Sequence, residues 1–128
     1  MCDKMRLVDS ELKVMEVLWG AGEMPARQVA AVLKDSTGWN VNTTYTLIKR
    51  CMEKGAVERE EPGFLCRALV SREQVQRSRT RELIDKVYGG QRESLFAALL
   101  DSEPISGEEL RRLRALIDQM EARAGQDD

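Results

Sequence analysis

Apolar residues recur along this chain first at helical spacing, then at strand spacing, then at helical spacing again. After a short entry segment, residues 1–8, Leu12, Met15, Leu18 and Trp19 lie three and four apart behind Asp9 or Ser10, either of which can cap a helix. Gly20-Ala21-Gly22 ends that helix, and Trp19 reads as an anchor at the edge of the core. Pro25 suits the first position of a second helix with Val29, Ala30, Val32 and Leu33 as its apolar positions, fading at Asp35-Ser36-Thr37-Gly38. Between Trp39 and Gly55 the sequence WNVNTTYTLIKRCMEKG sets Thr44, Leu47, Ile48 and Cys51 on one face of a third helix, with Gly55 as a left-handed cap. Asn42, Thr46 and Lys49 then project from the opposite face. Thr43 and Arg50 stand on one shoulder and Tyr45 on the other.

The period changes at Ala56. Ala56–Glu60 alternates with period two, Glu61-Pro62-Gly63 turns the chain, and Phe64–Val70 alternates again, which predicts a hairpin. Three helices followed by a hairpin is the element order of a winged helix-turn-helix domain. From Ser71, a candidate cap, the helical period returns with Val75, Leu83, Ile84, Val87 and Tyr88, although residues 77–81 are polar for a core face; Gly89-Gly90 breaks the helix. Leu95, Phe96, Leu99 and Leu100 mark a short helix that needs a partner. Ser106 and Glu109 form a capping box ahead of Leu110, Leu113, Ile117 and Met120, spaced like a coiled-coil seam, and Gly125–Asp128 is expected to fray. The expected fold is mainly α with a small β-hairpin wing: a winged helix-turn-helix domain over residues 1–71, then a helical module over residues 72–128. Narrow apolar stripes without intervening strands make a poor independent core, so a second copy of the chain is the economical partner for them.

Composition narrows the function. A chain of 128 residues with 42% apolar and 33% charged positions is a folded domain of ordinary size, or a small domain with an appended module. No run approaches 18 apolar residues and MCDKMR lacks a signal-peptide core, so a cytoplasmic location is expected. Cys2, Cys51 and Cys66 are odd in number and lack metal-site spacing, and histidine is absent, which removes the commonest general base and zinc ligand. No catalytic residue, metal site or cofactor is expected. Net charge is −2, unevenly spread: Asn40–Lys54 carries +2, Arg72–Tyr88 carries +2, and the remainder carries −6. A local basic surface on an acidic body is compatible with nucleic acid.

The outer face of the third helix carries amide, hydroxyl, aromatic and cationic groups, with Glu53 as its only acid. Such groups meet phosphates and base edges in a major groove. The candidate DNA contacts are Asn42, Thr43, Tyr45, Thr46, Lys49 and Arg50, with Arg67 of the second hairpin strand as a backbone-phosphate contact; an exposed strand arginine reads equally well without one. The alternatives are a solvated helix with a Thr-rich first turn, and a winged-helix module that binds protein instead of DNA. Cys51 faces the core as a small hydrophobe, and a thiol redox switch through Cys51 or Cys66 is the remaining chemical option.

Several stretches, in order and spacing, resemble the penicillinase-repressor (BlaI/MecI/CopY) family of winged-helix transcriptional regulators. They are LVDSELKVMEVLWG, the third-helix motif W-x-x-x-T-x-x-T-L-I-x-R, EKGAVERE, LVSREQ, LIDKVYGG and EELRRLRALI, covering nearly the whole chain. The resemblance implies a sequence-specific repressor that binds a palindromic double-stranded DNA operator as a homodimer, its C-terminal helices interlocking. It matches Thr43, Thr46 and Arg50, while Asn42 and Tyr45 stand where many relatives carry Lys or another residue. Periodicity and the resemblance together assign dimer contacts to Val75, Leu83, Ile84, Val87, Leu95, Phe96, Leu99, Leu113, Ile117 and Met120. Beta-lactam-responsive relatives are cleaved at an Asn-Phe bond in the fifth helix. Here that position reads Ala98–Leu99, which counts against a membrane sensor-protease as a partner. Copper-responsive relatives end in a cysteine-rich motif, and this tail, EARAGQDD, has none.

Overall fold

The computed structural model describes residues 6–102 and 104–127. Its elements run α1 (Asp9–Ala21), β1 (Glu23–Pro25), α2 (Ala26–Thr37), α3 (Val41–Glu53), β2 (Val57–Glu60), β3 (Leu65–Ala68), α4 (Arg72–Val87), α5 (Arg92–Ser102) and α6 (Gly107–Asp127). The chain is thus mostly helical with one small antiparallel sheet, a winged-helix arrangement. It divides into two compact units, Met1–Arg79 and Thr80–Asp128.

In the first unit α1, α2 and α3 pack against one another. Their core is built from Leu7, Val14, Met15, Leu18, Ala26, Val29, Leu33, Leu47, Ile48 and Cys51, closed by Ala56, Val57, Cys66 and Val75. The buried stripe of α1 is Glu11, Val14, Met15 and Leu18, with Leu12 and Trp19 only half-buried. Apolar spacing alone misplaced its centre because one member is a carboxylate. Glu11 is 1% exposed, and its Oε1 accepts the Val8 N–H at 2.9 Å and the Lys54 ammonium at 2.6 Å. A buried carboxylate is tolerated only when paired in this way. The same contact starts α1: Val8, not Asp9 or Ser10, is the residue before the helix, and Glu11 reaches back to its N–H. Lys54 also donates to the Arg6 carbonyl at 2.8 Å, so this lysine points into the fold and away from any outer basic face.

Pro25 differs from expectation. It lies at the end of a short strand and caps α2 rather than opening it, while Val32 is 42% exposed and outside the core. The sheet order is β1-β3-β2, with Glu23 opposite Arg67 and Glu58 opposite Arg67 on the other side. Proline cannot donate to a ladder, and β1 is accordingly an edge strand. The hairpin stands as expected, turning at residues 61–64 with Gly63 at φ +91° and Phe64 at φ +50°. The Phe64 carbonyl accepts the Ala26 N–H at 2.9 Å, which ties the wing turn to the start of α2. Trp19 is half-buried against the core and donates its indole N–H to the Val70 carbonyl at 2.9 Å.

α4 begins with a reciprocal cap in which Ser71 Oγ accepts the Gln74 N–H at 3.0 Å and Gln74 Oε1 accepts the Ser71 N–H at 2.8 Å. Its first turns belong to the first unit: Val75 is buried in that core, and Arg79 donates to the Leu7 carbonyl. Periodicity and the family resemblance together group Val75 with the dimer contacts. The structure instead uses it to close the winged-helix core.

The second unit is different in kind. None of its described residues is buried, and Leu83, Val87, Phe96, Leu99, Leu100, Leu110, Leu116, Ile117 and Met120 are each 42–65% exposed. Ser106 Oγ caps α6 through the Glu109 N–H at 3.1 Å, and the helix runs on through Gly125 to Asp127, where fraying was expected.

Replacing Lys54 with Met leaves the Glu11 carboxylate buried without its cation. The loss should be about 3 kcal/mol of unfolding free energy by urea titration, whereas Lys49→Met on the exposed face should change it by less than about 0.5 kcal/mol.

Candidate nucleic-acid interface

Both ends of α3 are closed by local chemistry. Asn40 precedes the helix in an extended conformation, and its Oδ1 accepts the Thr43 N–H at 3.0 Å. At the other end Gly55 takes φ +80°, the Ala56 N–H reaches the Cys51 carbonyl at 2.9 Å, and the Gly55 N–H reaches Met52 at 3.0 Å. That double closure is the Schellman arrangement, and its left-handed residue favours glycine. Between the ends, Thr44, Leu47, Ile48 and Cys51 are buried, as the helical spacing predicts.

The opposite face is open. Asn42, Thr43, Thr46, Lys49 and Arg50 are exposed, and among the described residues no carboxylate pairs with Lys49 or Arg50. The Thr46 hydroxyl donates to the Asn42 carbonyl at 3.0 Å, so it presents its lone pairs and its methyl outward. Tyr45 is half-buried. Its ring meets Phe64 edge-on, with centroids 5.8 Å apart and planes at 86°, and the Arg59 guanidinium lies 3.8 Å from the Phe64 centroid. Arg59 also binds Glu61, holding that exposed carboxyl below its usual range.

Helix ends add a second electrostatic feature. α1, α4, α5 and α6 each carry acids in the first turn, while α2 and α3 carry none. The positive ends of α2 and α3 therefore lack a compensating acid and suit an anion.

The wing offers no free arginine at Arg67. Arg67 donates to Glu58 at 2.7 Å and Glu60 at 3.1 Å, so a phosphate would have to displace two carboxylates to reach it. Residues 57–68 together carry a net charge of −1.

The structure gathers Asn42, Thr43, Thr46, Lys49 and Arg50 on one surface, sets Tyr45 at its margin, and places Arg67 in the wing sheet. Two further residues stand at the start of this helix. Asn40 was readable as a cap three positions before Thr43, had the helix start been set there. Val41 falls at the margin of the apolar stripe by spacing, and only the structure shows it 46% exposed.

Cys51 and Cys66 are both reduced and fully buried. Burial pushes the Cys51 thiol up to about 12, with Glu11 adding to the rise, and burial raises Cys66 as well. Such thiols are poor nucleophiles and poor redox sensors. Among the described residues no cluster of His, Cys, Asp or Glu could hold a metal, and no helix is long and apolar enough to cross a membrane.

Comparison with known proteins gives concordant results. The sequence profile described as penicillinase repressor matches residues 7–119. The penicillinase repressor of Bacillus licheniformis is 23% identical over 116 residues, covering 89% of this chain and 91% of that protein. The methicillin resistance regulatory protein MecI of Staphylococcus aureus (strain N315) is 26% identical over 110 residues, covering 84% of this chain and 89% of its own. The solution structure of the DNA-binding domain of the repressor BlaI superposes with a TM-score of 0.50 at 26% identity, covering 53% of this chain and 85% of that one.

The protonated, buried thiols generate a direct expectation. Iodoacetamide at pH 8 should leave Cys51 and Cys66 unlabelled in the native protein and label both in guanidinium chloride, as read by peptide mass mapping. Labelling of either in the native state would revive the redox reading.

Proposed function

The chain belongs to the penicillinase repressor family of transcriptional repressors, and from that membership we propose that it is a sequence-specific repressor acting as a homodimer on a palindromic operator. The observation that carries the reading is the outward face of α3. Its polar and cationic side chains are exposed, its two cations lack carboxylate partners among the described residues, and its first turn holds no acid. A recognition helix in a major groove needs that combination. Thr43 and Thr46 offer hydroxyl lone pairs and methyls to base edges, and Asn42 and Tyr45 supply the contacts in which this chain departs from its relatives. Arg50 reaches a guanine or a phosphate, Lys49 holds a phosphate, and the acid-free starts of α2 and α3 face the backbone. Arg67 is a secondary contact at most, since it must leave Glu58 and Glu60.

In this proposal the first unit, Met1–Arg79, reads DNA and the second, Thr80–Asp128, joins two copies. A unit without a buried residue among those described, yet with nine large apolar side chains at least 42% exposed, cannot hold itself together alone. Leu83, Ile84, Val87, Leu95, Phe96, Leu99, Leu113, Ile117 and Met120 supply the shared interface. Dimerisation sets two copies of α3 on half-sites roughly one helical turn, about 34 Å, apart. A membrane sensor-protease has no place in the proposal, because Ala98–Leu99 occupies the position of the relatives' cleavage bond.

Fluorescence anisotropy on operator and random duplexes at two salt concentrations tests the roles. Thr46→Ala should lose about 1–3 kcal/mol on the operator and little on random DNA. Lys49→Ala should weaken both similarly and lower the salt slope by about 0.9 per lost phosphate contact. Equal losses on both duplexes for both variants would contradict the division, and a wild-type protein with no salt-dependent binding would favour a protein-interaction module.

The dimer has its own test. Ile117→Asp should shift the sedimenting species from dimer to monomer at micromolar concentration and lower the thermal midpoint. A wild type that sediments as a monomer would end the homodimer proposal.

A further inference from the structure

Val41 is an exposed apolar residue at the start of the outward-facing helix. It is the first residue of α3, it is 46% exposed, and it is not among the buried residues of the core. Its position is one where an acid would be favoured by the helix dipole and where a β-branched apolar residue gains nothing from helix propensity. Isolated exposed valines are common, but this one sits one turn before Tyr45 and so shares its shoulder of the helix. The Tyr45 ring is fixed in turn by its edge-on contact with Phe64, whose carbonyl holds the start of α2. The shoulder is therefore a short apolar edge on a rigid mount, bordered on the same helix by exposed Asn42 and Lys49.

Resting on the DNA-reading role of α3, we infer that Val41, with the Tyr45 ring beside it, is a specificity-determining contact for the C5-methyl group of thymine. The thymine methyl is the one apolar group that base pairs present in the major groove, and an apolar side chain near the N-terminal end of a recognition helix is placed to cover it. The polar side chains of the same face read donors and acceptors, and Val41 adds to the Thr43 and Thr46 methyls an apolar contact selective for thymine over a base without the methyl.

Deoxyuridine tests this, because it differs from thymidine only by that methyl. The full-length protein is used to enrich a preferred duplex from a random-sequence pool. That duplex is then synthesised with thymidine throughout and with deoxyuridine throughout. Wild type should bind the deoxyuridine duplex more weakly, by about fourfold for each methyl that Val41 covers. Val41→Ala should bind the thymidine duplex more weakly and lose that share of the discrimination, with an unchanged unfolding midpoint because the residue is exposed. Thr46→Ser, which removes one of the two other candidate methyls (Thr43 carries the second), should leave the Val41-dependent share intact. If wild type and Val41→Ala discriminate equally between the two duplexes, Val41 does not read the methyl. If no duplex is enriched at all, the DNA-reading role fails and takes this inference with it.

Discussion

Four side chains of α3 must go inward, and that constraint sets everything the helix shows outside. Thr44, Leu47, Ile48 and Cys51 occupy i, i+3, i+4 and i+7, so burying them leaves α3 one rotational setting. The far end is then held by the Lys54–Glu11 pair, in which a carboxylate 1% exposed on α1 receives the ammonium just beyond α3. Asn40 and Gly55 close the helix ends. With rotation and ends fixed, Asn42, Thr46 and Lys49 have no direction available but outward. The cost is visible at Thr44, whose buried hydroxyl finds no partner among the described residues.

The same economy explains the two units. The first closes its own core, using Val75 from the start of α4, and braces that helix with the Arg79–Leu7 and Arg72–Glu16 contacts. The second has apolar stripes at helical spacing and no described residue buried beneath them. In the proposed repressor, reading and joining would fall to units that solve different physical problems. One unit buries its stripes internally and exposes polar chemistry, and the other exposes its stripes to a second surface.

Much of this is legible in the amino-acid sequence. The inward face of α3, the hairpin, the Ser71 cap and the Ser106 cap all follow from spacing and turn chemistry, because they are local. What escaped was non-local. β1 is three residues long and contains a proline, so it has no period of its own and exists only by pairing with β3. Glu11 belongs to the buried stripe only because Lys54, far along the chain, meets it. Lys54 therefore looked like part of the basic face until its partner was seen. Arg67 looked free for the same reason: Glu58 and Glu60 are cross-strand neighbours, and spacing does not show which salt bridges form. Val41 sat too near the margin of the stripe for periodicity to decide whether it is buried.

The central claim is that the outward face of α3 is the surface that meets DNA. Nuclear magnetic resonance of the labelled full-length protein, titrated with its enriched duplex, observes the side chains themselves. The Asn42 side-chain amide and the Arg50 guanidinium signals should shift and saturate with the duplex, while the Cys51 methylene signals on the inward face stay close to their free positions. Saturable shifts confined to α5 and α6, with Asn42 and Arg50 unmoved, would contradict the account.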